Sequence, residues 1–315
     1  MISAAEAGLL PWAHLPVDEQ LERRRARVVD AMRNGRIDAD VSPIVASPRS
    51  EGARARVKLR ADRHGRLGFR RPGTHDWVEV DLTDLARPEV VREAERVGAW
   101  GGARGEIELR SDGARVAVVL EQPGDLDGHV AVGNRALSGE PVLDVAGLRV
   151  SPLSFYQVNL EINAAIVDEV DAHLLRLAPT RLLDLYAGVG NLSARAVARG
   201  VPATLLESDR SSVADARVNA RSATIVTADV GRLRTGEHFF DVAVLDPPRA
   251  GALGVLPKLL VTRPRAILYL SCEPSTLARD LRPALAAGYR LTRVVPYDMF
   301  PGTEHVETLA VLERA

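Results

Sequence analysis

Cysteine is almost absent from this chain: 315 residues hold one, Cys272. A single thiol excludes an internal disulfide, a cysteine-built zinc site and a four-cysteine iron–sulfur cluster. It also argues against a secreted fold held by disulfides. Lysine is nearly missing too, with only Lys58 and Lys258, so arginine carries the positive charge. No apolar run approaches the roughly 20 residues that span a bilayer, and MISAAEAGLLPWAHLPVDEQ lacks the basic segment and apolar core of a signal peptide. These absences lead to the expectation of a cytoplasmic protein with no membrane partner and no metal. At 34.0 kDa the chain has room for two domains, and nothing in it demands more than a monomer.

The formal net charge of −1 hides an uneven distribution. Arg49, Arg54, Arg56, Lys58, Arg60, Arg63, Arg66, Arg70 and Arg71 stand close together against only Glu51 and Asp62. RARVKLRAD places Ala55, Val57, Leu59 and Ala61 on one side of a strand, with Arg54, Arg56, Lys58 and Arg60 on the other. Four cations in strict alternation suit a phosphate-binding face, and the plain alternative is a solvated strand. Phe69 could stack on a base or belong to the core.

Residues 16–35 read as a helix closed by Gly35, with Leu21, Val28, Val29 and Met32 as a partial apolar face. From about residue 43 the pattern turns to short strands: RARVKLRAD, GRLGFRR, DWVEVDL and a hairpin in GEIELRSDGARVAVVLEQ with Asp112-Gly113 at its turn. ARPEVVREAERVG interrupts them as a helix. After SPLSFYQVN, INAAIVDEVDAHLLRLA carries Ile166, Val170, Leu174 and Leu177 at helical spacing. Then RLLDLY, ATLLES, ATIVTAD, FDVAVLD and RAILYLS alternate with helical segments and have the apolar character of strands covered on both faces. RLTRVVPYD and ETLAVLE follow without room for a helix between them, which predicts a closing antiparallel pair. The expected fold class is α/β, a doubly wound Rossmann-like domain preceded by a smaller β-rich (α+β) domain. The expected boundaries are 1–42 for an N-terminal helical segment, 43–150 for the β-rich domain and 151–315 for the doubly wound domain.

DLYAGVGN follows the first strand of that second domain. Gly188 and Gly190 allow a tight turn close to a ligand, and Glu207 ends the next strand where a carboxylate can take ribose hydroxyls. A dinucleotide favours a third glycine, and that position is Ser193. S-adenosylmethionine needs no phosphate cradle, and Asp229 stands where it could reach an adenine amino group. The bland alternative is that Glu207 and Asp229 cap helices. DPPRAG ends the fourth strand with Arg249 where amino-group methyltransferases carry an aromatic residue, and Asp246 can accept hydrogen bonds there. Cys272 itself is either an inert small hydrophobe or a nucleophile.

SFYQVN, DLYAGVGN, LDPPRAG, LSCEPSTLARDL and FPGTEHVETLAVLER resemble, in the same order, the RNA (uracil-5-)-methyltransferases, which make 5-methyluridine in tRNA and ribosomal RNA. The resemblance is close over about residues 150–315 and fades before them. It implies a methyltransferase domain using S-adenosyl-L-methionine after an RNA-binding domain, and methylation of carbon 5 of a uridine in structured RNA. Cys272 would add to carbon 6 and Glu307 would remove the proton from carbon 5, with His305 a competing base. A position just before a helix is expected to lower the pKa of the thiol. Donor binding would fall to Gln157, Tyr186, Gly188, Gly190, Asn191, Glu207, Asp229 and Asp246, although Gln157 and Asn159 could simply begin a helix. Arg54, Arg56, Lys58, Arg60 and Arg249 would bind RNA, and Arg279 is a further phosphate candidate. The target uridine would have to be flipped out of its stack.

Two departures stand out. Many members carry an iron–sulfur cluster, which a lone cysteine excludes, and many begin with a small OB-like domain for which residues 1–42 are too short. The rival readings are an RNA cytosine-5 methyltransferase, a non-catalytic RNA-binding or RNA-chaperone paralogue, and a small-molecule methyltransferase. The first lacks its Pro-Cys or second cysteine here.

Overall fold

The computed structural model describes residues 1–74, 76–232 and 240–314; His75, in the expected RPGTHD turn, lies outside them. α1 (Val17–Asn34) ends at Gly35, as its pattern predicts. The chain forms two compact units. One comprises Met1–Gln20, Ser47–Asn163 and Phe300–Glu304, the other Leu21–Ala46, Ala164–Met299 and His305–Ala315. These limits differ from breaks at residues 42 and 150, for reasons visible in the backbone. Val41 and Val45 bridge to Val294 and Tyr297 and so join the sheet of the second unit. Residues 151–154 stay in the first unit, where buried Arg110 donates to the carbonyls of Ser151, Pro152 and Ser154.

The first unit is built on β1 (Arg56–Ala61), β2 (Leu67–Arg70), β3 (Trp77–Val78), α2 (Pro88–Trp100), β4 (Glu106–Ser111), β5 (Val116–Leu120), β6 (Val130–Val132) and β7 (Arg135–Ser138). The seven strands form one sheet in the order β3-β2-β1-β4-β5-β6-β7. β8 (Leu143–Val145) and β9 (Leu148–Val150) pair separately. α2 starts on Pro88 and closes at Gly101 in the left-handed region, a stop that glycine takes without strain. Its buried Val90, Ala94 and Val97 share a core with Val57, Leu59, Ile107, Leu109 and Val118. Phe69 packs against this core rather than standing free. The β4–β5 hairpin turns at Asp112, whose carboxylate accepts from the amides of Ala114 and Arg115.

The second unit contains α3 (Leu160–Leu177, whose first residues belong to the first unit), β10 (Leu182–Leu185), α4 (Ala194–Ala198), β11 (Ala203–Glu207), α5 (Arg210–Asn219), β12 (Thr224–Thr227), β13 (Val242–Leu245), α6 (Leu256–Val261), β14 (Ala266–Ser271), α7 (Pro274–Ala286), β15 (Tyr289–Tyr297) and β16 (Glu307–Arg314). Its sheet runs β12-β11-β10-β13-β14-β16-β15. The first five strands are mutually parallel, β16 runs antiparallel to both β14 and β15, and so the closing antiparallel pair forms as its spacing predicts. β10, β13 and β14 are buried along their whole length. β12, expected to be covered on both faces, is an edge strand and only half-buried. Among the described residues no helix is long and apolar enough to cross a membrane.

Candidate active site

In an open parallel sheet the carboxyl ends of the strands gather the ligand-binding loops, and the polar residues collect there. β10 ends in Leu185, and Tyr186 follows with φ 60°, a left-handed conformation unusual for a residue with a Cβ. Gly188 (φ 54°) and Gly190 (φ 89°) complete the turn, and a Cβ placed on Gly188 would meet nothing within 4 Å. The turn therefore leaves open space beside its backbone. Glu207, at the end of β11, is fixed by the backbone: Oε2 accepts from the Gly188 amide at 2.9 Å and Oε1 from Ser208 and Asp209 at 2.6 and 2.7 Å. Asp229 is exposed and accepts from the Gly231 amide at 2.7 Å. The capping expected as the bland alternative is seen at Asp229, whereas α5 is capped by Asp209, which accepts from the Ser212 amide, and not by Glu207.

Asp184 opens the DLYAGVGN motif. It is 1% exposed, within β10, and its Oδ2 has no hydrogen-bond partner among the described residues. Burial, reinforced by the neighbouring Asp246 and Glu207 charges, raises its pKa to about 7, against the pull of Ser193. An acid within the otherwise apolar run RLLDLY was the available signal.

On the other side, the antiparallel register pairs Ser271 of β14 with Thr308 of β16. Continued by one residue, that register sets Cys272 opposite Glu307, the first residue of β16. Cys272 is half-buried and precedes Glu273, which caps α7 by accepting from Ser275. Glu307 is buried, and its Oε2 has no hydrogen-bond partner among the described residues. Burial and the nearby Asp246 hold its pKa well above the usual carboxylate range.

The lowered thiol pKa expected from the helix is overturned. Burial, then the Glu307 and Asp246 carboxylates, raise Cys272 to about 11, outweighing the backbone hydrogen bond and the Arg249 charge that act the other way. The helix terminus contributes too little against desolvation and two like-charged neighbours.

Arg249 is exposed and pairs with Glu273 at 3.2 Å. Arg279, its side chain partly exposed, pairs with Asp280 at 2.7 Å and donates to the Ala250 carbonyl at 2.7 Å. Asn191 lies half-buried in the turn that follows β10 and His305 precedes the strand of Glu307. The structure thus brings Tyr186, Gly188, Gly190, Asn191, Glu207, Asp229, Asp246, Arg249, Cys272 and Glu307 into one unit.

Gln157 belongs to the other unit, buried beside Ala55, Arg110 and Tyr156 around a cavity of about 10 Å³. Asn159 there caps α3 by accepting from Ile162 at 3.2 Å. The basic strand is less free than its alternation suggests. Arg56 pairs with Glu108 at 2.6 Å, and Lys58 with Glu106 at 2.9 Å and Glu108 at 3.5 Å, both carboxylates projecting from β4. Arg54 is half-buried and its pKa is lowered by desolvation. Arg60 is exposed. Arg56 also stacks 5.7 Å from the ring of Phe155, which is 54% exposed.

Residues 231–315 match the family profile described as tRNA (Uracil-5-)-methyltransferase. Over an alignment of 345 residues the chain is 32% identical to the 23S rRNA (uracil(1939)-C(5))-methyltransferase RlmD of Salmonella paratyphi A, covering 96% of this chain and 78% of that protein. The enzyme of the same name from Pseudomonas putida is 30% identical over 349 residues, covering 95% and 76%. A solved structure, the tRNA (uracil-54, C5)-methyltransferase of Pyrococcus abyssi in complex with S-adenosyl-L-homocysteine, superposes with a TM-score of 0.74 at 25% identity, covering 96% of this chain and 84% of that one.

Proposed function

This chain belongs to the RNA (uracil-5-)-methyltransferase family, and from that premise we infer that it methylates carbon 5 of a uridine in tRNA or ribosomal RNA, using S-adenosyl-L-methionine. The observation that carries the reading is the facing pair of Cys272 and Glu307 at the carboxyl ends of the sheet that also bears the donor turn.

The residues present suit a cationic donor. Asp184, Glu207 and Asp246 concentrate negative charge around the open turn at Gly188, and the orphaned Asp184 Oδ2 has acceptor capacity to spare. Glu207, anchored by the Gly188 amide, is placed for ribose hydroxyls, and Asp229 for the adenine edge. When bound, the donor supplies an electrophilic methyl group on a positively charged sulfur.

The chain's own residues supply the rest. Carbon 5 of uracil is too weak a nucleophile alone. The Cys272 thiolate adds to carbon 6, pushing the electron pair of the 5,6 double bond toward the ring carbonyl, and carbon 5 becomes nucleophilic. Once carbon 5 is methylated, Glu307 takes its remaining proton. The 5,6 double bond re-forms and the sulfur leaves carbon 6. Only the carboxylate form of Glu307 can take that proton, and its raised proton affinity makes this form the stronger base. The target uridine must be out of its stack to reach Cys272, and Arg249, Arg60 and the Arg54–Lys58 strand contribute phosphate contacts. The enzyme acts as a cytoplasmic monomer in this reading.

The test uses total RNA from a strain lacking this gene, incubated with the protein and methyl-labelled S-adenosylmethionine, with Cys272→Ala in parallel. Label in 5-methyluridine that is lost in the variant supports the reading. Label in 5-methylcytidine, or RNA bound without any label, contradicts it.

A further inference from the structure

The loop Asp246–Ala252 carries two of the charged groups that act on Cys272, yet Pro248, Arg249 and Ala250 are exposed and the segment has no regular structure. Three residues of it are nevertheless tied to α7 and β14. The Arg249 carbonyl accepts from Thr276 Oγ1 at 3.3 Å, and the Ala250 carbonyl accepts from Arg279 Nη2 at 2.7 Å. The Ala252 amide donates to Asp280 Oδ2 at 2.5 Å and lies 3.0 Å from the Tyr269 hydroxyl. Gly251, at φ 80°, is squeezed between them: a Cβ there would stand 2.3 Å from Asp280 Oδ2 and 2.7 Å from Arg279 Nη2.

At the centre of this array is Asp280, a fully buried carboxylate. Besides Ala252 it accepts from the Tyr269 hydroxyl at 2.7 Å and from Arg279 Nε at 2.8 Å. Tyr269 is fully buried in β14, and burial together with the Asp280 carboxylate raises its pKa, so the phenol stays a donor. A buried carboxylate is costly unless every lone pair is used. Here the donors come from three places that must keep a fixed relation: the loop, the strand leading into Cys272 and the helix following it.

We propose that Asp280 is a positioning residue, clamping the Asp246–Ala252 loop to α7 and β14 and so holding Asp246 and Arg249 in place beside the Cys272 thiol. The proposal rests on the reading of Cys272 as the nucleophile. It assigns Asp280 no contact with substrate; its effect passes through the loop.

The test uses Asp280→Asn and Tyr269→Phe, both nearly isosteric, in the full chain. One readout needs no RNA: the rate at which iodoacetamide alkylates Cys272, the only cysteine present. With the clamp loosened, Asp246 drifts from the thiol and water enters. Alkylation at fixed pH is expected to quicken by about threefold or more, while methyl transfer slows by about tenfold. Donor affinity should stay near the parent's, and both variants should remain folded at the assay temperature although with a lowered unfolding midpoint. Alkylation that is unchanged or slower in both folded variants overturns the proposal. So does unchanged turnover, or a loss of turnover that tracks a loss of donor affinity, which is the mark of a merely structural residue. Should Asp280→Asn fail to fold, Tyr269→Phe decides alone. Should the parent methylate no uridine, the functional reading fails, while the alkylation comparison still decides the clamp.

Discussion

Cys272 and Glu307 face each other because β14 and β16 are antiparallel and Ser271 pairs with Thr308. Neither residue lies near the other in the chain, and the relationship is created by inserting β16 between β14 and β15. It places a thiol and a carboxyl, both buried enough to resist ionisation, at the same end of the sheet as the Gly188 turn.

A thiol at about 11 is ionised in only on the order of one molecule in ten thousand at neutral pH. The alkylation rate of Cys272 in the free protein should therefore climb about tenfold per pH unit between roughly pH 7 and 10, without levelling. A plateau below about pH 9 would show that the resting thiol is already activated. A sulfonium donor would supply positive charge that the resting site lacks, so a thiolate titration followed by ultraviolet absorbance should shift downward with S-adenosylmethionine and not with its thioether product, which lacks the sulfonium charge.

Asp184 takes up its proton at about 7 in the folded chain, against an ordinary 3.8. Between those values the folded state holds a proton that the unfolded chain has lost, so this residue makes stability fall as pH rises and the cost is complete above about 7. Asp184→Asn should be more stable relative to the parent at pH 8 than at pH 4, by up to a few kcal/mol. Denaturant midpoints at the two pH values measure this, and a constant difference contradicts the placement of Asp184.

Arg24 and Asp298 form an ion pair at 3.0 Å with side chains 1% and 3% exposed. Removing one partner leaves the other charge buried, so Arg24→Met should cost about 3–5 kcal/mol in unfolding free energy. Arg24→Met combined with Asp298→Leu should recover most of the loss. A double variant as unstable as the single one would mean that the pair is not what holds α1 against this unit.

Glu106 and Glu108 pair with Lys58 and Arg56, and under the proposed function they would compete with RNA phosphates for these cations. Replacing both by Gln should tighten RNA binding and steepen the slope of log affinity against log salt by about 1–2. An unchanged slope would place the RNA elsewhere.

Much of this was legible in the sequence where burial is continuous. The apolar runs RLLDLY, FDVAVLD and RAILYLS became β10, β13 and β14, central and covered, and the Gly188–Gly190 turn fell where the open-sheet rule puts it. ATIVTAD misled because an apolar run does not reveal whether its strand lies at the edge. Arg56, Lys58 and Arg60 do alternate along one face of β1, while Arg54 lies before the strand; that Glu106 and Glu108 pair with Arg56 and Lys58 depends on cross-strand register, which no local pattern carries. The thiol was misjudged for a similar reason. The helix is adjacent in sequence, while the carboxylates that outweigh it arrive from β13 and β16. Asp280 looks like one more charge on an amphipathic helix, and only its burial shows otherwise.

The most direct measurement is the intact mass of Glu307→Gln after incubation with S-adenosylmethionine and substrate RNA. With carbon 5 methylated and no base to take its proton, the account predicts a stable adduct, protein plus methylated RNA, mapping to Cys272 on digestion. Unmodified protein turning over at close to the parental rate would contradict it, since neither the covalent step nor the role of Glu307 would survive that result.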